Sequence, residues 1–150
     1  MIRRPPRSTH CISSAASDVY KRQGEESSAF CEQFDRPYVK SIPVVDTARM
    51  KALIADYTNA RAYLFDTHVS GEHGGTGKTF DWTKMPEKNI GHRILAGGLD
   101  TENVAKAIRI AWPDAVDVSS GVESQPGIKN HKTLERFIAA AKLAGKDLAL

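Results

Sequence analysis

Three short stretches hold residue types suited to acid–base and phosphate chemistry: "YLFD" ending at Asp66, "ILAGG" ending at Gly97 and Gly98, and "AVDVSSG" with Asp117, Ser119, Ser120 and Gly121. Each follows or contains the apolar run of a short buried strand. An acid at a strand end can give or take a proton. Adjacent glycines let the backbone approach an anion closely, and a short helix starting near Gly121 would aim free N–H groups and a positive dipole end at it. A glycine pair after a strand is often only a turn former, but two such strand ends joined by a helix favour phosphate binding. Asp66 taken alone is equally a cap or loop acceptor.

A fourth stretch, "GEHGGTGKTFDW" (Gly71 to Trp82), looks at first like the phosphate-gripping loop of an ATPase. That motif needs a glycine, four residues, then Gly-Lys-Ser/Thr. Counting back from Gly77-Lys78-Thr79 places the first glycine at 72, where Glu72 stands, and "FDWTKMP" reaches a proline instead of opening a helix. The expectation is a flexible glycine-rich loop, with Phe80 and Trp82 packing it against the domain. His68 and His73, with Asp66 and Glu72, supply no metal-binding set by spacing alone, so solvated loop histidines are expected.

The elements that position these residues must come from one domain. The chain has 150 residues, 41% hydrophobic and 26% charged, enough for a real core. No apolar run is long enough to span a bilayer. The formal charge of +3 belongs to the first 23 residues, where five bases face Asp18 alone, and the remainder is slightly acidic. No basic patch is left to argue for nucleic acid or a membrane surface.

That leader, "MIRRPPRSTHCISSAASDVYKRQ", is arginine- and serine-rich, which fits a transit peptide. Another reading fits better. Residues 13–23 back-translate without a mismatch to a standard transposase adapter used in DNA sequencing, and residues 1–9 resemble a flow-cell adapter, with His10 to Ile12 in the place of a sample index. Residues 1–23 are therefore expected to be adapter-derived and disordered, and residues 24–150 to be a fragment whose true gene start is missing. Cys31 is then the only native thiol, a small buried apolar group suited to a reducing cytoplasm, so a cytoplasmic location is expected.

From Gly24 onward, strand-like and helix-like runs alternate. "SSAFCEQF" suggests a helix with Phe30 and Phe34 on one face, and "YVKSIPVV" a strand ending in a loop at Pro43. Met50, Leu53, Ile54 and Tyr57 form a core-facing helical stripe. "AYLFDT" and "HRILAGGL" read as strands, followed by a helix capped by Thr101 with the stripe Val104, Ala107, Ile108 and Ala111. "AVDVSSGVE" is a strand and turn, and Leu134, Phe137, Ile138 and Ala141 make the last stripe. Lys132, Arg136 and Lys142 read as solvated charges. Such alternation implies βα units on a parallel sheet, either doubly wound or part of a (βα)₈ barrel.

At "LFDTHVSGEHGGTGKTFDW", "ILAGGLDTENVAKAI" and "VDVSSGVESQPGIKN" the chain resembles the phosphoribosylanthranilate isomerases of tryptophan biosynthesis, from Gly24 to about Lys142. The resemblance implies an α/β TIM barrel of which residues 24–150 are the C-terminal half, about strands 5 to 8. "GGTGKTFDW" then becomes the loop after the sixth strand, and Gly24-Glu25 the start of the loop after the fourth. It implies an Amadori rearrangement, an aldose–ketose isomerisation of N-(5-phosphoribosyl)anthranilate, with Asp66 as general acid. Asp117 matches the contact to the substrate amine, and Gly97, Gly98, Ser119, Ser120 and Gly121 match the phosphate site.

The family's general base, a cysteine at the end of the first strand, and its arginine contact to substrate fall in the absent half. Cys31 cannot replace the base. The isolated chain is therefore expected to be inactive, with a noncatalytic phosphate-binding half-barrel or assembly module as the alternative. The resemblance implies no metal and no organic cofactor; the implied partner is a small phosphorylated substrate, and fusion to or association with indoleglycerol-phosphate synthase, as happens in this family, belongs to the same expectation.

Overall fold

The computed structural model describes residues 19–67 and 79–147. Five parallel strands form one sheet: β1 (Tyr20–Arg22), β2 (Tyr38–Val44), β3 (Ala62–Thr67), β4 (His92–Leu95) and β5 (Ala115–Val116). Their order in the sheet is their order in the chain. A doubly wound sheet reverses its strand order at a switch point, whereas a (βα) barrel advances one strand at a time in a single direction. The absence of a reversal among these five strands selects the barrel type.

Between the strands run α1 (Ser28–Glu32), α2 (Thr47–Asp56) and α3 (Val104–Ala111), and α4 (His131–Asp147) follows the last. The parallel register sorts each strand into two faces. Tyr38, Ile42, Val44, Tyr63 and Phe65 face the helices and form one buried cluster with Cys31, Met50 and Tyr57. A second cluster joins Leu95 and Leu99 to Val104, Ala107, Ile108 and Ala111 of α3 and to Phe137 and Ala144 of α4. The opposite face pairs Ser41 with Leu64, Pro43 with Asp66 and Leu64 with Ile94.

Four details differ from the sequence expectations. The chain is already a strand at Tyr20–Arg22, where disorder was expected through Gln23. Backbone pairing explains it: the edge of β2 offers a ladder to any extended segment, and the Arg22 guanidinium adds stacking, 4.9 Å from the Tyr20 ring centroid and 4.7 Å from that of Phe34. Phe30 and Phe34 share a face as expected, here an exposed one, and Cys31 supplies the buried contact.

Pro43 lies inside β2 instead of ending it, because β1 stops opposite Lys40 and leaves one side of β2 without a partner that needs an N–H. On α4, Ile138 is exposed, and the stripe runs from Leu134 through Phe137 and Ala141 to Ala144. Thr101 is not the cap of α3. Asp100 Oδ1 instead accepts from the N–H groups of Glu102 (2.8 Å) and Asn103 (2.9 Å) in the turn before it.

Two buried cations fix the outer layer. Lys40 donates to the Gly24 carbonyl at 2.6 Å and to Glu26 Oε2 at 3.2 Å, and Tyr57 Oη donates to the Glu26 carbonyl at 2.6 Å, tying the segment after β1 to β2 and α2. Arg93 on β4 is 2% exposed and donates to the carbonyls of Pro86 (2.9 Å), Ala111 (3.4 Å) and Trp112. Trp112 has φ 49°, so Arg93 secures a helix end that a non-glycine residue closes in the left-handed region. Replacing Arg93 with Met would leave those carbonyls without a buried donor. Arg93→Met should lower stability by about 2–4 kcal/mol in urea unfolding. Asp114→Asn, which keeps an acceptor for the Arg93 N–H, should cost less than about 1 kcal/mol.

Candidate active site

The C-terminal ends of the strands open onto a cleft of about 380 Å³. Its lining includes Asp66, Gly97, Gly98, Asp117, Ser119, Ser120 and Gly121, so every site residue expected from the sequence meets in one place. The ladders bring them there. Ala96 N–H donates to the Phe65 carbonyl and Asp117 N–H to the Leu95 carbonyl, both at 2.8 Å, carrying the parallel pairing past the strand ends.

Gly97 is required by its surroundings. Its φ is +84°, and an added Cβ would overlap Thr67 Oγ1 and stand 2.8 Å from Asp66 Oδ1. Gly121 is confined in the same way, since a Cβ there would collide with the Leu99 carbonyl. Gly98 also has a positive φ, 60°. The two glycine-bearing loops therefore pack backbone to backbone with their neighbours, a condition for presenting N–H groups to an anion. The short helix expected near Gly121 is a single 3₁₀ turn, Ser120–Val122.

Asp66 is partly buried, and that burial is the largest influence raising its carboxyl above the usual range. The Thr67 N–H, which donates to Asp66 Oδ1 at 2.7 Å, and the Lys21 charge oppose it, while Asp117 adds to it. A carboxyl biased toward its protonated form is suited to donate a proton. Asp117 is ion-paired with Lys21 at 2.9 Å, the side chains 42% and 38% exposed. A pair so open to water is weak and can be exchanged for another cationic or N–H partner. Lys21 lies in the segment expected to be disordered, so sequence reasoning missed it.

Ser119 also lines the cleft, but Lys129 lies 3.4 Å from its hydroxyl, on the hairpin β6–β7 (Glu123–Gln125 and Ile128–Lys129). The hairpin was not foreseen either, since its short strands carry no apolar alternation. Cys31 is fully buried among helix-facing residues, away from the cleft, and burial pushes its thiol up. His68, His73, Glu72 and the Gly71–Lys78 part of the glycine loop lie outside the described residues. Phe80 and Trp82 pack against the core. Among the described residues no cluster could hold a metal ion, and no helix is long and apolar enough to cross a membrane.

Fold and cleft together define a barrel-type α/β protein with an acid and two anion-ready loops at its strand C-termini. The sequence model described as N-(5'phosphoribosyl)anthranilate (PRA) isomerase matches residues 14–140, and the chain belongs to that family. It is 46% identical over 125 residues to the N-(5'-phosphoribosyl)anthranilate isomerase of Cellvibrio japonicus, covering 83% of this chain and 58% of that protein. The Neisseria gonorrhoeae protein of the same name is 47% identical over 123 residues, covering 82% and 59%.

The crystal structure of phosphoribosyl anthranilate isomerase from Thermotoga maritima superposes with a TM-score of 0.73 at 36% identity, covering 83% of this chain and 62% of that one. A structure of the enzyme in complex with reduced 1-(o-carboxyphenylamino)-1-deoxyribulose 5-phosphate gives 0.69 at 32% identity, covering 83% and 59%. The chain thus spans about three-fifths of the length of these relatives.

Two substitutions test the geometry. Gly97→Ala should cost at least about 2 kcal/mol, from left-handed strain plus overlap with Thr67, whereas Gly127→Ala, with φ +81° and nothing within 4 Å of its Cβ, should cost only about 1 kcal/mol. Asp66 carries a pH signature. Because the folded state holds its proton more readily than the unfolded chain, Asp66 contributes most at acid pH, and that contribution is lost as pH rises from about 3.8 through the raised folded value. Asp66→Asn should therefore gain stability relative to the unaltered chain between pH 4 and 7 in urea unfolding. A difference that does not change with pH would remove the assignment.

Proposed function

We propose that the chain supplies the acid and phosphate portion of an N-(5'-phosphoribosyl)anthranilate isomerase site. The observation that carries this reading is the convergence of Asp66, Asp117 and the two glycine-bearing loops on one cleft, with Asp66 held toward its protonated form. The phosphate lies between Gly97-Gly98 and Ser119-Ser120-Gly121. Asp66 gives its proton to the ribose ring oxygen as the C1–O bond breaks and the nitrogen lone pair forms the Schiff base. Asp117, released from Lys21, accepts from the substrate amine.

The second half of the reaction needs a base to take the C2 proton, after which the enol tautomerises to the ketose. The one described thiol, Cys31, is in the core and cannot reach the cleft. The base comes from the portion of the family's barrel that this chain does not span.

The chain should bind reduced 1-(o-carboxyphenylamino)-1-deoxyribulose 5-phosphate in calorimetry, with Gly98→Asp abolishing binding by placing a carboxylate in the phosphate loop. Turnover of N-(5'-phosphoribosyl)anthranilate, followed by loss of its fluorescence, should be about 10²–10⁴-fold below that of a full-length relative for want of the base. Turnover equal to the relative's would overturn this division of roles. Ligand binding that never becomes turnover when the N-terminal portion of a relative is supplied would favour a noncatalytic phosphate-binding half-barrel.

A further inference from the structure

Behind the Ser119–Gly121 loop, on the side away from β4, sits a cation that the reaction does not use. Lys129 Nζ donates to the Ser119 carbonyl oxygen at 2.9 Å and to Glu123 Oε1 at 2.6 Å. Glu123 and Lys129 are cross-strand partners at the base of the β6–β7 hairpin, and Glu123 Oε2 accepts from the Gly127 N–H at 3.1 Å across the hairpin turn. The carboxylate is thus fixed from both sides, and it fixes the ammonium.

The atom Lys129 grips decides where the next N–H points. In a trans peptide the carbonyl and the following N–H lie in one plane and point in opposite directions. Ser119 has φ −121° and ψ −89°, outside the regular helical and extended regions, and ψ is the torsion that sets the plane of the Ser119–Ser120 peptide. The Ser119 carbonyl accepts from the Lys129 ammonium at 2.9 Å and from the Val122 N–H of the 3₁₀ turn at 3.4 Å, so the Ser120 N–H, which points opposite to that carbonyl, is turned away from both donors; Ser119 and Ser120 line the cleft. The ammonium also polarises the peptide it holds, which strengthens that N–H as a donor.

We propose that Lys129 is a positioning residue for anion binding: by clamping the Ser119 carbonyl it aims the Ser120 N–H at the phosphate, and Glu123 holds Lys129 in place to do so. This rests on the reading of the cleft as a phosphate site and adds to it a determinant outside the cleft lining. An ordinary exposed ion pair between Lys129 and Glu123 would stabilise the hairpin by less than about 1 kcal/mol and leave anion affinity alone. The contact with the Ser119 carbonyl separates the two cases.

The test is a titration of the ¹⁵N-labelled full chain with inorganic phosphate, following the Gly98 and Ser120 amides, for the unaltered protein, Lys129→Met and Lys129→Arg. Both amides should move on saturation in the unaltered chain. In Lys129→Met the phosphate Kd should rise about tenfold and the Ser120 displacement should shrink relative to that of Gly98, while Lys129→Arg, which still reaches both oxygens, should stay within about threefold. If Lys129→Met gives no dispersed spectrum, Glu123→Gln, which loosens the lysine without removing it, should show the same selective loss at Ser120.

Phosphate binding unchanged in Lys129→Met, or lost equally in the Met and Arg variants, would overturn the role of Lys129 while leaving the phosphate site standing. Neither amide responding in the unaltered chain would overturn the phosphate reading itself, and this inference with it.

Discussion

Between the end of β4 and the end of β3 there is no room for a side chain. A Cβ at Gly97 would overlap Thr67 Oγ1 and come within 2.8 Å of the Asp66 carboxylate. This approach does two things at once. It presses backbone against Asp66, removing water from a group whose ionisation water would favour, and it leaves the Gly97-Gly98 loop with positive φ values that turn it across the cleft. A larger residue would push β4 away from β3 at the point where the Ala96 N–H to Phe65 carbonyl bond prolongs their ladder. Loop shape and the close approach of β4 to the end of β3 therefore depend on one missing side chain.

That approach is only as exact as the frame behind it, and the frame is built on the other face of the same strands. Phe65 and Leu95, each immediately or nearly before a site residue, are fully buried against the helices. Because side chains alternate along a strand, locking these into the core directs Asp66 to the opposite face. Arg93 reinforces the outer layer by holding the end of α3, the helix that joins the Gly97-Gly98 loop to β5 and thereby to Asp117. The outer layer is apolar with two buried cations, Lys40 and Arg93, bonded to backbone carbonyls, while the inner end is polar and accessible. The division allows the site to be partly solvated without loosening the sheet.

What could be read from the sequence divides along the same line. The α3 stripe of Val104, Ala107, Ile108 and Ala111 is buried throughout, because apolar spacing at helical period reports a one-sided environment directly. The convergence of Asp66, Asp117 and the glycines was legible because a parallel sheet brings all its strand ends to one rim. Local pattern left a doubly wound sheet and a barrel both open, since strand order is a long-range property, and the family resemblance chose the barrel that the strand order shows. Ile138 was misplaced for a related reason: periodicity identifies neighbours on a helix, and the exposed side of a helix can carry apolar residues as well as the buried side. β1 and the hairpin are held by backbone pairing and by Arg22 and Lys129, interactions that leave no hydrophobic period.

The electrostatics of the cleft then bear on its choice of ligand. Two carboxylates share the cleft, and the fold acts on them by different means. Burial biases Asp66 toward its neutral form, and Lys21 pairs with Asp117 at 2.9 Å in an exposed, weak contact. The two effects are linked, since the Lys21 charge lowers the Asp66 carboxyl and the Asp117 charge raises it. A change in the Lys21–Asp117 pair is therefore felt at Asp66, although β4 stands between the two strand ends.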